Sequence, residues 1–384
     1  MKKYAWIASF IALTLSAACI IYVPYDEDDR RISRGQVYER DYGKELDQEY
    51  FYDYLAPYGT WVSYPAYGYV WVPRHMQHGW RPYTSGRWVW TDYGWTWVSD
   101  FEWGWAPFHY GRWGWDRGLG WFWVPGAVWG PAWVAWRVGD IYLGWAPLPP
   151  EAEFVPGTGI RSFDFDFPPQ YWVFVNARHF LDERLDRYAL PFERNYTIID
   201  FTMMGAGIGF RGGRVFNEGI DADRIGRFTH QEVTKYELRD PNRPGVSFIE
   251  GEDLFIHKPS ISRNQLARPN TSLDFDEAEE KISAEEIEDE KARGQGLQDD
   301  QERERRLLED SQEIEVNEIR RKVDDDKKLA RTPEEREKVE EEYKAKIESL
   351  KKKHETEKSE LSRRHKEEEN KVKSSKLKRR DGIS

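Results

Sequence analysis

The chain has 384 residues, with 69 acidic against 57 basic side chains for a net charge of −12, 19 tryptophans and one cysteine. Near-balanced charge leaves no basic footprint for nucleic acid, a single cysteine leaves no disulfide framework, and the length exceeds an ordinary single domain. Composition shifts twice, from aromatic-rich to mixed near Pro150 and to mostly charged beyond Leu273.

In chain order, Met1, Lys2 and Lys3 precede an apolar run from Tyr4 to Ala18, the pattern of a secretory signal peptide over 1–18. Cys19 follows Leu15-Ser16-Ala17-Ala18, which resembles a bacterial lipobox. That resemblance implies lipidation of Cys19, by palmitate or a similar acyl chain. Ser16 departs from the aliphatic residue the pattern prefers, which keeps open an uncleaved membrane anchor from Tyr4 to about Tyr22. Either way the rest of the chain is exported. Ile20 is not the aspartate that resembles an inner-membrane retention signal, so the outer membrane is the expected location. Residues 19–49 read as a flexible tether of alternating acids and bases.

Residues 50–150 form the stretch that organises the protein. The run Trp80-Arg81-Pro82, Gly86-Arg87-Trp88-Val89-Trp90, Gly94-Trp95-Thr96-Trp97 recurs as Trp105-Ala106-Pro107, Gly111-Arg112-Trp113-Gly114-Trp115, Gly120-Trp121-Phe122-Trp123. Tryptophans at i and i+2 share one face of a strand, so each unit predicts a β-hairpin whose four indoles meet across the ladder. A weaker copy around Trp61 and Tyr69-Val70-Trp71 precedes them, and a frayed one with Trp129, Trp133, Trp136 and Trp145 follows. Large aromatics stacked in this way hold short hairpins together without a thick aliphatic core.

Residues 151–260 read as a small α+β domain. Strands are expected at Tyr171–Val175 and Thr197–Ile199, and a short amphipathic helix from Arg178 to Leu190. A turn at Gly212-Gly213 leads into Arg214–Phe216, Asp221 caps a helix through Ile225, and Val233–Leu238 is a strand. A last strand falls at Ser247–Ile249 or at Leu254–Ile256.

These motifs, together with Leu148-Pro149-Pro150-Glu151, Trp172-Val173-Phe174-Val175, Asn195-Tyr196-Thr197-Ile198-Ile199 and Asn217-Glu218-Gly219-Ile220-Asp221, resemble a Trp-rich family of bacterial envelope proteins. That family is known as a domain of unknown function, with repeats of the W-x-x-G-x-W style. The resemblance runs from Leu55 to His257 and departs between Asp200 and Arg214, where relatives carry Asn-rich strands. It implies no catalytic residue.

Residues 261–384 are too charged to bury a core. Thr332-Pro333-Glu334-Glu335 starts a new helix after one that ends near Ala330. Ordered pairs such as Glu342/Lys346 and Glu369/Lys373 support it, and Val339, Tyr343, Ile347, Leu350, His354 and Leu361 form a thin stripe. The pattern fits a bare solvated helix or a weak coiled coil with a partner. The basic end from Lys371 to Arg380 reads as a solvated tail, with contact to an anionic surface as the alternative.

Chemistry is sparse. His75 and His78 are three residues apart with no third ligand nearby, Gly205 to Gly209 lacks the ending of a phosphate loop, and Asp164 and Asp166 alternate with phenylalanines as in a half-buried strand. No enzyme, metal or cofactor is expected. The fold class expected is mainly β, with a small α+β domain and long charged C-terminal α-helices or coiled coil. The function expected is structural or adhesive, at the cell envelope. The alternatives are binding of glycan or peptidoglycan on a platform of Trp88, Trp90, Trp95, Trp97, Trp113, Trp115, Trp121 and Trp123 with Arg87 and Arg112, and capture of a partner by the C-terminal helix.

Overall fold

The computed structural model describes residues 46–77, 79–160, 167–293 and 295–381. The expected leader, Cys19 and most of the tether lie outside the described residues, as do His78, Asp164, Asp166 and most side chains of the basic end. Residues 45–384 make one compact unit.

A short helix α1 (Glu49–Leu55) begins the body inside the expected tether and buries Phe51, Tyr52 and Leu55. Four antiparallel hairpins follow: β1 (Gly59–Tyr64) with β2 (Gly68–Pro73), β3 (Gly86–Thr91) with β4 (Gly94–Ser99), β5 (Arg112–Asp116) with β6 (Gly120–Val124), and β7 (Val134–Val138) with β8 (Tyr142–Pro147). Each sets tryptophan opposite tryptophan: Trp61 with Trp71, Trp88 with Trp97, Trp90 with Trp95, Trp113 with Trp123, Trp115 with Trp121, and Trp136 with Trp145. In the first three hairpins a glycine at the head of the outgoing strand admits the returning indole. At Gly111, with φ of +65°, a Cβ would lie 2.1 Å from the Val124 carbonyl oxygen and 2.7 Å from Trp123 Nε1. At Gly86 it would lie 2.3 Å from the Val98 oxygen and 2.8 Å from the Trp97 ring.

Later strands complete three sheets. β9 (Val173–Asn176) adds to β8, and β10 (Met203–Met204) to β7. The hairpin β11 (Ile208–Arg211) with β12 (Arg214–Asn217) joins β4. After helix α2 (Ala222–Thr229), β13 (Lys235–Arg239) pairs with β3, and the hairpin β14 (Phe248–Glu250) with β15 (Asp253–Phe255) extends that sheet. Both alternatives for the last strand are therefore present, as the two arms of one hairpin. β16 (Leu273–Asp274) edges β1.

Both faces of the hairpins are buried. Trp88 and Trp95 are 1% and 0% exposed, and Val89 and Thr96 on the opposite face are 7% and 0%. The main core holds the paired indoles, with Phe180 set among Trp88, Trp95, Trp136 and Trp145. A second core lies across the β7–β8–β9 sheet, around Trp133, Trp172 and Phe174. A third covers Val62, Val70, Val72 and Phe122 with Ala278 and Ile282 of helix α3 (Phe275–Arg293).

Helices α4 (Gln295–Leu329) and α5 (Pro333–Asp381) form an antiparallel hairpin. Its turn is capped as expected: Glu335 N–H donates to Thr332 Oγ1 at 3.1 Å, while Glu335 Oε2 accepts from Thr332 N at 3.3 Å. The buried seam is more polar than the stripe implied. Leu297, Gln301 and Glu304 recur eleven residues on as Leu308, Gln312 and Glu315, and Leu350, His354 and Glu357 recur as Leu361, His365 and Glu368. His354 Nε2 lies 2.7 Å from Glu315 and His365 Nε2 lies 2.7 Å from Glu304, while Gln301 and Gln312 donate to Glu368 and Glu357 at 2.8 Å.

Several expectations are corrected. The boundary at Pro150 separates no cores, because β9 pairs with β8 across it and both feed the same core. The helix expected from Arg178 to Leu190 is two 3₁₀ turns, Ala177–His179 and Leu185–Arg187, which let Phe180 and Leu185 both turn inward. Thr197–Ile199 is helical rather than a strand. The buried run Glu193-Arg194-Asn195 just before it needs polar partners, which Asn195 Nδ2 finds in the carbonyls of Pro169 and Trp172, both at 2.7 Å. With 26% strand and 40% helix, the chain as a whole is β sheets plus long helices rather than mainly β.

The helical hairpin is also not bare along its base, because the body clamps it there. Arg194, 0% exposed, donates to Glu315 and, at 2.5 Å, to Glu357, one carboxylate from each helix. Its Nε donates to Ser311 Oγ at 2.9 Å, and Arg364 donates back to Glu193 at 2.7 Å. Burial of Glu304 raises its pKa, but His365 and Arg364 outweigh that and hold the carboxyl below its usual 4.5. A depressed carboxylate pKa adds stability above the unfolded value and loses it as pH falls through the folded one. Protection factors of the α4 and α5 amides are therefore expected to fall as pH drops below about 4.5, ahead of those of the β core. Loss of protection in the core first is the contrary result.

Candidate functional site

The ten residues expected as a ligand platform do not converge on one surface. Trp88, Trp95, Trp97, Trp113 and Trp123 are at most 1% exposed and Trp121 is 9% exposed. Several of these indoles spend their N–H on backbone: Trp95 on Ile220 O at 2.7 Å, Trp113 on Pro107 O at 3.0 Å, and Trp123 on Tyr110 O at 2.7 Å. Arg112 stacks 3.7 Å over the Trp133 ring and donates to Ala152 O, and burial pushes its pKa down to about 9. Arg87 faces Glu183 at 3.5 Å. Trp90 is half-buried against Trp95 and Phe216. Trp115 alone of the ten is well exposed, at 41%. The physical reason is that both hairpin faces are needed for packing, so alternation along the strands creates no wet side.

Trp115 opens onto a cleft of about 620 Å³. Its walls are the β5–β6 turn with Arg117, the loop after β2 that runs from Pro73 to Arg81, helix α3, and the segment bearing Phe192 and Tyr196. Trp80 and Trp121 also line it, and both are fixed from behind. Trp80 meets Phe101, Trp103 and Trp113 edge-on, and Trp121 lies 4.8 Å from the Tyr171 ring. Trp80 Nε1 is buried and has no hydrogen-bond partner. Tyr196 is 60% exposed.

Most charges around the cleft are already engaged. Arg74 Nη2 donates to Ala56 O at 3.0 Å and to Pro57 O at 3.2 Å. Arg81, buried, donates to Trp172 O at 2.5 Å and Leu190 O at 3.0 Å, and its burial lowers its pKa to about 10. His75 Nδ1 lies 3.0 Å from Asp289 of α3. Among the described residues that leaves Arg117 and Glu285 as the lining charges with neither a hydrogen bond nor an ion pair, one of each sign. Gln77, Gln170 and Ser283 add neutral groups able to donate and accept. The arrangement can stack a flat apolar face and hydrogen-bond a hydroxyl-rich edge.

Other titratable groups lie outside the lining of the cleft. No group of three or more metal-type ligands occurs among the described residues. His109 Nδ1 donates to Gly130 O over 2.9 Å, its ring lies flat on Trp129, and burial lowers its pKa to about 4. Tyr50 Oη, His257 Nε2 and Asp240 line up at 3.1 and 3.2 Å in the order of a nucleophile, base and orienter. The His257 ring is 6% exposed and packs 4.7 Å from Trp105, and burial raises the Tyr50 phenol to about 12, which favours the neutral form.

Sequence reasoning missed the cleft because one wall comes from α3 and another from the Phe192–Tyr196 segment, far from the tryptophan run. It also missed the Glu193–Arg194 clamp. The eleven-residue recurrence of Gln-x-x-Glu and His-x-x-Glu was the available signal for the clamp's partners. No curated protein and no solved structure matches the chain. Residues 52–152, which carry the four tryptophan hairpins, match the Family of unknown function (DUF6600).

Proposed function

We propose that the chain is a non-catalytic cell-envelope protein with a structural or adhesive role, exported and held at the outer membrane by an acyl group on Cys19. What supports this reading most is the clamp: a rigid aromatic body gripping a long helical hairpin through Arg194 and Arg364. An arm of about 50 Å or more, at 1.5 Å per helical residue, suits reach and load rather than chemistry. The leader that resembles a lipobox supplies the tether point.

The experiment is complementation of a deletion strain with wild-type or Cys19→Ser protein, with a clickable palmitate analogue as label and detergent tolerance as readout. Wild type is expected to be labelled, to sediment with membranes and to restore tolerance, while Cys19→Ser does none of these. An unlabelled, soluble variant that restores tolerance fully would overturn the anchored role.

A further inference from the structure

We infer that the cleft beside Trp115 binds a hexopyranose chain of low net charge. The inference goes beyond the structural reading above and does not depend on it. Three observations combine.

The first is aromatic exposure in one place. Trp115 and Tyr196 are 41% and 60% exposed in a protein that buries most of its indoles, and they line the same cleft. Solvent contact of two large rings across a concave site opposes the packing that governs the rest of the chain. A pyranose presents a flat patch of C–H bonds that packs on such a ring while its hydroxyls point sideways.

The second is the polar lining. A hydroxyl both donates and accepts, so a site for sugar mixes both kinds of group, and Gln77, Gln170, Ser283, Arg117 and Glu285 do so here. A phosphate or other polyanion instead calls for clustered donors. Arg74 and Arg81 donate to backbone carbonyls and His75 lies against Asp289, which leaves Arg117 and Glu285 as the charged lining groups with no hydrogen-bond or ion-pair partner among the described residues. Three arginines against Glu285 and Asp289 leave the lining a formal charge of +1 with His75 neutral, and two of the three have their donors occupied, so no cluster of free donors awaits a polyanion.

The third is size and rigidity. A volume of about 620 Å³ falls in the ~300–1,000 Å³ span of ordinary ligand sites. Trp80 and Trp121 are held by rings of the core, so the walls are set before any ligand arrives.

The test is calorimetric titration of the full chain, in detergent, with chitotetraose and with cellotetraose, and with tripolyphosphate as the anionic probe. Saturable binding of either sugar is expected, weakened at least about tenfold by Trp115→Ala and by Tyr196→Ala. Phe248→Ala, another exposed ring outside the cleft, should leave it unchanged. Because Trp115 and Tyr196 are exposed, both variants should keep the wild-type unfolding midpoint, and either one suffices for the comparison. Absence of saturable heat with both sugars, unchanged affinity in both variants, or tighter binding of tripolyphosphate than of sugar each overturns the inference. None of these results touches the scaffold role, whose readout is detergent tolerance.

Discussion

Arg194→Ala is expected to lower stability by about 3 kcal/mol, near the bottom of the ~3–5 kcal/mol range for breaking a buried ion pair. Arg194 is fully buried and answers one carboxylate from each helix, so its loss strands Glu315 and Glu357 away from water. The lower end applies because each carboxylate keeps one bond: His354 stays 2.7 Å from Glu315, and Gln312 donates to Glu357 at 2.8 Å. Burial alone would lower the Arg194 pKa, yet Glu315 and Glu357 more than offset it and raise it, so the guanidinium is charged at any physiological pH. Arg194→Lys keeps the charge without the two-pronged donor and should recover only part of the loss. Denaturant unfolding measures the difference, and hydrogen exchange locates it in α4 and α5. A loss under 1 kcal/mol for Arg194→Ala would show that the helices are held by something other than this clamp.

Trp88→Ala should cost about 3–5 kcal/mol, the usual toll of emptying a large aromatic site in a core. Its ring sits 4.6 Å from Trp136, 5.0 Å from Trp97 and 5.6 Å from Trp145, so the cavity opens where two hairpins meet. Chemistry separates Trp88 from its neighbour. Trp88 Nε1 has no hydrogen-bond partner, whereas Trp145 Nε1 donates to Tyr83 O at 2.8 Å. Phenylalanine therefore replaces Trp88 at the cost of volume only, and replaces Trp145 at the cost of volume plus roughly 1–3 kcal/mol for a carbonyl left unpaired. Thermal unfolding of the two Phe variants should rank Trp88→Phe above Trp145→Phe. The reverse order would mean that the indole hydrogen bonds contribute little to this core.

How much of this was legible in the residues depends on the range of the interaction. Hairpins were readable because their signal is local: Trp at i and i+2, a glycine turn, and the same pair returning. The register Trp88 to Trp97 and Trp113 to Trp123 follows from that pattern. The cap at Thr332 and the Asp221 cap of α2, where Asp221 Oδ1 accepts from Arg224 N at 2.9 Å, are local in the same way. What stayed hidden was which face meets water. Alternation predicts a wet side only if nothing lands on it, and α3 lands on Phe122 from more than 150 residues away. The Arg178–Leu190 segment shows tertiary demand overriding helical spacing, since Phe180 is wanted among four indoles. The helices were legible as helices, but their seam was not, because its buried positions are filled by Gln, Glu and His rather than by an apolar stripe. Trp115 stood among the expected ligand residues, and nothing near it in sequence set it apart from its seven buried or half-buried neighbours.

The layers of the helical hairpin look alike every three turns, so the ladder alone does not say which rung should face which. Sliding one helix by a whole unit would set Glu304 against His354 and keep one of the two rungs. Glu193 and Arg194 remove that ambiguity from outside, because each reaches its partners at one height only. The tip beyond them is then free to change length in steps of eleven residues without rewriting a single contact at the base, which makes the projecting part adjustable while the grip stays fixed.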